Sequence, residues 1–141
     1  ASALQALQRA PRATHVLVCN DARMGEVYVA AFARGAGGLP EPLGPESVCP
    51  PSSVVMPATS GVWVGAGHGF RAYPQLEQAA PASSRPGEAR PGFTEIFADL
   101  LPQAREVLPL ARAEWAAGRI LKPAEAQPVY LRDDVAKVPQ A

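Results

Sequence analysis

The sequence predicts an α/β fold: a mixed β-sheet that opens with an antiparallel hairpin and has helices packed against it. Residues 14–32 hold two apolar runs joined by a short turn, as the strands of a hairpin would. A further apolar run leads into a glycine-rich turn at 61–70. Beyond residue 93, apolar residues recur at the three- and four-residue intervals of a helix. This order of elements indicates one layered domain, and 141 residues are enough for its core.

The first elements are a short helix and the hairpin. "SALQALQRA" (2–10) has leucines at helical spacing, and Pro11 ends the helix because proline cannot continue it. "THVLVCN" (14–20) is apolar throughout, which is typical of a strand covered on both faces. "EVYVAAF" (26–32) presents side chains alternately to two faces, as a pleated strand does. The link "DARMG" contains Gly25, so we expect an antiparallel turn there.

The middle of the chain predicts short strands separated by loops. A loop at 34–45 is expected to lead into a short third strand at 46–49. The next strand spans residues 62–64 and runs into the turn "GAGHG" (65–69). The stretch "PASSRPGEARPG" (81–92) is dense in turn-forming residues and has no apolar residue beyond alanine, so it predicts an exposed loop.

A stripe of apolar residues predicts the last helix. Pro102 is expected at its first position and Gly118 at its C-terminal cap. The stripe predicts that this helix packs in the core or at an interface. Its members are Ile96, Phe97, Leu100, Leu101, Ala104, Val107, Leu108, Ala111 and Trp115. The stretch 127–134 that follows is expected to be extended.

The amino-acid counts argue against several classes of protein. Thirteen basic side chains balance thirteen acidic ones, whereas a domain that binds nucleic-acid phosphates shows a basic excess. We therefore expect no direct nucleic-acid binding by this chain. Cys19 and Cys49 lack the spacing of a metal site or redox pair, which favours a reducing, cytoplasmic setting. No apolar run approaches the roughly 18 residues of a membrane span, so we expect no membrane insertion.

The turn "DARMG" is the first candidate for a functional site. Asp21 ends a strand and could bring a carboxylate, together with turn amides, to the phosphates and metal of a nucleotide. Close approach of a phosphate needs small residues, and only Gly25 is small because Arg23 and Met24 fill the turn. Asp21 could instead satisfy the turn amides, which is the ordinary role of aspartate there. Both interpretations remain open, and the steric argument favours the structural one.

The glycine-rich turn is the second candidate. Gly65 and Gly67 follow a strand, as the residues of a phosphate-binding loop would. "GAGHG" matches neither a P-loop nor the full dinucleotide fingerprint, and its glycines could simply let strand and helix approach closely. His15 and His68 lack the spacing of a zinc site, so we expect no metal and no other cofactor. There is no Gly-x-Ser-x-Gly elbow, and no catalytic residue is predicted.

Three stretches resemble the TsaB family: "DARMGEVYVA" (21–30), "LLPQAREVLPLARAEWAAG" (100–118) and "AQPVYLRDDVA" (126–136). The family consists of non-catalytic subunits of the machinery that makes threonylcarbamoyladenosine beside the tRNA anticodon. Its members were long labelled glycoprotease-like or M22 peptidase homologues. The resemblance runs over most of the chain. It implies one lobe of an actin-like fold with an RNase H-like core.

The resemblance also implies how the chain is divided. Residues 1–12 correspond to a remnant of the inter-lobe helix and residues 13–141 to the second, C-terminal lobe, while the first lobe is absent from this sequence. Asp21 stands where the superfamily has the acid of a phosphate-binding Asp-x-Gly turn. Larger residues replace the small ones that should follow it, which implies a degenerate phosphate loop.

For function, the resemblance implies a scaffold that supports the catalytic paralogue TsaD, with the ATPase TsaE joining them. Arg23, Glu26, Tyr130 and Arg132 are the candidates for partner contact, although Tyr130 and Arg132 could equally pin the chain end to the sheet. An isolated lobe should expose apolar surface, so a homodimer is also expected. Two alternatives stay open: a nucleotide-binding or ATP-hydrolysing lobe that uses Asp21 and the glycine-rich turn, and a peptidase as the older label suggests.

Overall fold

The computed structural model of the protein describes residues 1–79 and 92–132. The loop predicted at 81–92 lies outside the described residues apart from Gly92, and so does the chain beyond Arg132. The described helices and strands are α1 (Ser2–Arg9), β1 (His15–Arg23), β2 (Glu26–Arg34), β3 (Pro40–Pro42), β4 (Ser47–Cys49), β5 (Trp63–Ala66), α2 (Gly69–Ala72), β6 (Phe93–Phe97) and α3 (Ala104–Ala116).

The described strands form one mixed sheet. Their order is β3-β2-β1-β5-β6, and β4 pairs with β2 beside β3. β1 and β2 are the antiparallel hairpin, whereas β5 and β6 continue the sheet parallel to β1. The third strand expected at 46–49 is β4. The predicted α/β class, the mixed sheet and its N-terminal hairpin are therefore confirmed.

Alternation along the strands divides the core into two layers, one on each face of the sheet. On one face Val16 and Val64 pack with Leu7 of α1. On the other face Leu17 packs with Trp63 and with further side chains from the loops and α2. All five of these residues are buried. Because both faces are covered, β1 can be apolar throughout, as its sequence indicated.

The first helix is held against the sheet by burial and by a side chain at its C-terminus. Every residue from Ser2 to Leu7 in α1 is buried. The Arg34 guanidinium donates hydrogen bonds to the carbonyl oxygens of Leu7 at 2.7 Å, Ala10 at 2.9 Å and Ala13 at 2.7 Å. The bond to Leu7 satisfies a carbonyl oxygen that the end of the helix leaves without a partner, and the other two hold the segment that follows the helix. The assignment of residues 1–12 as part of an inter-lobe helix stays a prediction.

The last helix differs from its prediction at one end and agrees at the other. α3 begins at Ala104 with Gln103 as its N-cap, so the prediction that Pro102 is the first helical residue is wrong. Gly118 has φ +71°, and its N–H bonds the Trp115 carbonyl oxygen at 3.0 Å. The predicted glycine cap is thus confirmed. β3, with proline at both ends, was not predicted; it is short and lies at an edge of the sheet, where proline is tolerated.

The apolar stripe does not form a core helix. Its first members lie on β6, and within α3 Val107, Leu108 and Trp115 are 51%, 62% and 71% exposed. The residue that α3 buries is Glu106. The prediction of core packing is therefore wrong for these three residues. The described core layer beside α1 contains residues of α1, β1 and β5 but none of α3. Interface packing stays a prediction. In the described part of the chain, no helix has the length and apolar character needed to cross a bilayer.

Candidate functional site

The hairpin tip and the glycine-rich turn lie at the same end of the sheet. β1 and β5 run parallel with Val18 opposite Ala66, and this pair is the last in their register. Asp21 follows on one strand and Gly67 follows on the other. The carboxyl ends of neighbouring parallel strands are where α/β proteins commonly bind ligands. The structure therefore brings the two candidate segments together.

The Asp21 carboxylate is occupied by groups of the chain itself. Its Oδ1 accepts hydrogen bonds from the Arg23 backbone N–H at 2.8 Å and the Tyr73 hydroxyl at 3.2 Å. Its Oδ2 lies 3.6 Å from Nη1 of Arg23. The pKa of Asp21 is lowered mainly by the backbone hydrogen bond from Arg23, and further by Tyr73 and the Arg23 charge, against the opposing effect of desolvation. Asp21 is thus the acceptor that holds the turn.

The tip itself has an unusual backbone. Arg23, Met24 and Gly25 have φ of +64°, +56° and +80°. Met24 and Gly25 form the two-residue turn between the strands, and two positive φ values in succession are those of a type I′ turn. The Arg23 side chain is 87% exposed and Met24 is 72% exposed, so both lie largely in solvent. Because the Arg23 N–H already donates to Asp21, it is not free to bind an anion.

The glycine-rich turn leaves no room for side chains because β1 passes beside it. A Cβ on Gly67 would overlap the Cys19 carbonyl oxygen, and one on Gly69 would lie 2.7 Å from that oxygen. A Cβ on Gly65 would lie 2.8 Å from the Phe70 ring. Gly67 also has φ +103°. The glycines therefore permit close packing of strand and turn.

Three further polar residues lie at this end of the sheet, and sequence reasoning had considered only one of them, His68, as a zinc ligand. The Tyr73 hydroxyl donates a hydrogen bond to Asp21. Asn20 Oδ1 and His68 Nδ1 are buried and have no hydrogen-bond partner among the described residues. The charge of His68 is the smallest of the causes that lower the pKa of Asp21. Asn20 could have been suspected because it precedes Asp21. Tyr73 has no comparable signal, since its contact spans 52 residues of sequence.

Three of the four partner-contact candidates meet at the hairpin tip. Arg132 forms an ion pair with Glu26 and donates hydrogen bonds to the carbonyl oxygens of Ala22 at 3.0 Å and Arg23 at 3.4 Å. The fourth candidate, Tyr130, is 79% exposed nearby in the chain. A groove of about 350 Å³ separates this terminal segment from the sheet. Its lining consists of Asn20, Tyr28, Glu46 and residues 129–132.

Metal binding has no support in the described ranges. Within residues 1–79 and 92–132, no three side chains of histidine, cysteine, aspartate or glutamate are placed to hold a metal ion together. His15 stacks on Trp63, with ring centroids 4.7 Å apart, and is well separated in the chain from His68. The two histidines thus lie in different environments.

Comparison with known proteins identifies the family. The chain is 39% identical over 126 residues to the Escherichia coli (strain K12) tRNA threonylcarbamoyladenosine biosynthesis protein TsaB, which matches 88% of this chain. The chain belongs to the TsaB family. It spans 50% of the length of that TsaB protein. No protein-family model matches the chain.

Two solved structures from Pseudomonas aeruginosa share the TsaB-family fold. One is YeaZ, with a TM-score of 0.70 and 33% identity, covering 92% of this chain and 56% of the solved chain. The other is described as an uncharacterized protein with similarity to peptidase YeaZ; its TM-score is 0.72 at 33% identity, covering 93% of this chain and 56% of the solved one. The sheet described above is accordingly part of an actin-like fold, as the sequence resemblance implied.

Proposed function

We propose that this chain is part of a non-catalytic scaffold subunit of the tRNA threonylcarbamoyladenosine machinery. The E. coli relative is named for the biosynthesis of that modification, and the likeness to it supports the assignment. In this role the protein works in the cytoplasm and supports a TsaD-type catalytic paralogue, which a TsaE-type ATPase joins. It acts through protein contacts rather than by binding tRNA itself.

The observation that carries the scaffold proposal is the state of the Asp21 region. Asp21 already accepts from the Arg23 N–H and the Tyr73 hydroxyl. Next to it, the Cys19 carbonyl oxygen lies against Gly67 and Gly69. A phosphate site presents free N–H groups and open space to its ligand. Here the Arg23 N–H is already bonded to Asp21 and the glycine-rich turn packs against the backbone of β1, which favours an architectural role.

The test is reconstitution with the complete natural protein that contains these residues. We expect it to co-purify with the TsaD-type paralogue and to be required for modification of tRNA by the purified set. The informative variant is Asp21→Asn, which keeps the Oδ1 acceptor for the turn but removes the charge that a nucleotide–metal site would need. A scaffold retains full modification activity with Asp21→Asn. Failure of the natural protein to co-purify with its partner would remove the proposal.

The surface proposed for the partner is the hairpin tip together with the terminal segment. Arg23, Glu26, Tyr130 and Arg132 belong to it, and the contacts of Arg132 hold three of them in one place. The exposed apolar face of α3 is a separate surface, and it supports a homodimer as a second mode of association. Substituting Tyr130 by serine should weaken partner binding without lowering the melting temperature, since its side chain is mostly in solvent.

A nucleotide-binding lobe is the second candidate function. It is favoured by the position of Asp21 and Gly67 at the carboxyl ends of two neighbouring parallel strands. It predicts that millimolar Mg-ATP raises the melting temperature of the natural protein and that Asp21→Asn abolishes the rise. No shift in either protein would leave the scaffold as the better account.

A peptidase is the third candidate, and its support is the description of one solved relative as similar to a peptidase. Its test is cleavage of a denatured protein substrate by the natural protein and by a variant with His15 and His68 both replaced by alanine. A metal-dependent peptidase loses activity in the variant. Absence of cleavage by the natural protein would dispose of this candidate.

A further inference from the structure

Arg132 joins the terminal segment of the described chain to the hairpin tip. Its Nη1 donates to the Ala22 carbonyl oxygen at 3.0 Å and lies 3.6 Å from the Met24 sulfur. Its Nη2 donates to the Arg23 carbonyl oxygen at 3.4 Å and to the Glu26 carboxylate. The Arg132 side chain is only 11% exposed. One guanidinium therefore contacts four of the five residues from 22 to 26.

An arginine suits this set of contacts better than a lysine does. Its planar guanidinium carries five N–H donors in a rigid fork, so it can serve two carbonyl oxygens and a carboxylate at once. The ammonium of a lysine is a point charge that lacks this fork. All of these hydrogen bonds are charge-assisted, because the guanidinium donor is charged, and the bond to Glu26 also has a charged acceptor. Charge-assisted hydrogen bonds are stronger than neutral ones.

The tip needs support from outside its own backbone. Arg23 and Met24 both have positive φ, a conformation that residues with a Cβ adopt only when their surroundings hold them there. The hydrogen bond from the Arg23 N–H to the Asp21 carboxylate stabilises this conformation from within the tip. Arg132, from a distant part of the chain, adds hydrogen bonds to the carbonyl oxygens of Ala22 and Arg23.

The terminal segment, in turn, has few other attachments. Val129 and Tyr130 are 80% and 79% exposed. Among the described residues after α3, the other side-chain hydrogen bonds, such as Gln127 to Ala124, stay within the segment or return to α3. Arg132 is thus the side chain that bonds this segment to the sheet. The segment lies over the groove of about 350 Å³ whose floor includes Tyr28 and Glu46.

We propose that residues 129–132 form a strap that Arg132 holds across the hairpin, and that the strap and the tip change state together. While Arg132 is bound, the tip keeps its positive-φ shape and the strap covers the groove. When Arg132 is released, the tip loses its outer support and the groove opens. The coupling resides in this chain alone and does not depend on the proposed partners.

Amide hydrogen exchange of the natural protein tests the coupling. In Arg132→Gln, which releases the strap, we expect exchange in the tip (residues 21–27) to become about tenfold faster, the size expected for losing charged hydrogen bonds. Exchange in β5 should not change. The matched control is Arg119→Gln, because Arg119 also forms a two-bond ion pair, with Glu114, but lies away from the tip.

Two further variants decide the outcome. Arg132→Lys should restore only part of the protection, because lysine keeps the charge but not the fork. Glu26→Gln, which leaves the carbonyl contacts of Arg132 in place, should accelerate exchange in the tip by a smaller factor. If Arg132→Gln leaves the tip as protected as Arg119→Gln does, the strap is wrong. If Arg132→Gln accelerates exchange in β5 as well, Glu26→Gln decides. Faster exchange confined to the tip then supports the coupling, and any other result overturns it.

Discussion

At the hairpin tip, Gly25 has φ +80° and open space around its Cα. A Cβ at this position would therefore clash with nothing, and the cost of a side chain comes from the backbone conformation alone. Gly44 also has open space around it, without a positive φ. The two glycines form a matched pair that separates conformational strain from packing.

We predict that Gly25→Val lowers the free energy of unfolding by about 1 kcal/mol or more, because a β-branched residue is strained at positive φ. Gly44→Val should change it by less than about 0.5 kcal/mol, as surface substitutions usually do. Urea denaturation monitored by circular dichroism measures both. Equal effects in the two variants would contradict the type I′ geometry at the tip.

Asp21 should make the stability of the protein sensitive to acid. Its pKa is lowered in the folded state, chiefly by the Arg23 N–H, so its stabilising contribution is fully present above the unfolded-state pKa of about 3.9. That contribution is lost as the pH falls through the lower, folded-state pKa. Asp21→Asn has no carboxylate to protonate. We predict that its melting temperature falls less steeply than that of the unmodified protein below about pH 4; parallel curves would contradict the Asp21 contacts.

At the scale of the elements, α1 and α3 have opposite relations to the core. Leu7 of α1 is fully buried between helix and sheet, whereas Leu108 of α3 is 62% exposed. Their sequences both carry apolar residues at helical spacing. The pattern predicts a helix in each case, but it does not say whether another element of the same chain covers its apolar face.

We predict that Leu7→Ala destabilises the protein by about 2–5 kcal/mol, since it leaves a cavity in a packed layer. Leu108→Ala should cost less than about 0.5 kcal/mol, because its side chain is mostly in solvent. Thermal denaturation of the two variants provides the comparison. A large loss in Leu108→Ala would mean that α3 is covered, by another chain or by residues outside those described.

At the scale of the whole molecule, one tryptophan lies in the core and the other lies on an exposed helix. Trp63 of β5 is 1% exposed, and Trp115 of α3 is 71% exposed. In dilute solution, we predict that acrylamide quenches the fluorescence of Trp63→Phe, which retains Trp115, several-fold more than that of Trp115→Phe. If the proposed homodimer uses α3, the quenching of Trp115 should decline as protein concentration rises. Quenching that is independent of concentration would argue against this face as the dimer interface.

Much of the fold could be predicted from local patterns, and the site only in part. The hairpin, β4 and the Gly118 cap each follow from residues next to one another in the chain. The meeting of Asp21 with Tyr73, and of Arg132 with the tip, joins residues 52 and more than 100 positions apart. Periodicity and turn chemistry carry no information on such pairs. For the same reason the exposure of α3 could not be predicted from its stripe.

The sequence by itself determined the fold class, the hairpin and the family resemblance, because periodicity, turn residues and motifs are local properties of the chain. The tertiary structure alone decided what the candidate residues do. It placed the Cys19 carbonyl against the glycine-rich turn, brought the Tyr73 hydroxyl to the Asp21 carboxylate, and bonded Arg132 to the tip. Each of these contacts depends on how distant segments pack, since a polar group bonds whichever partner the fold brings within reach.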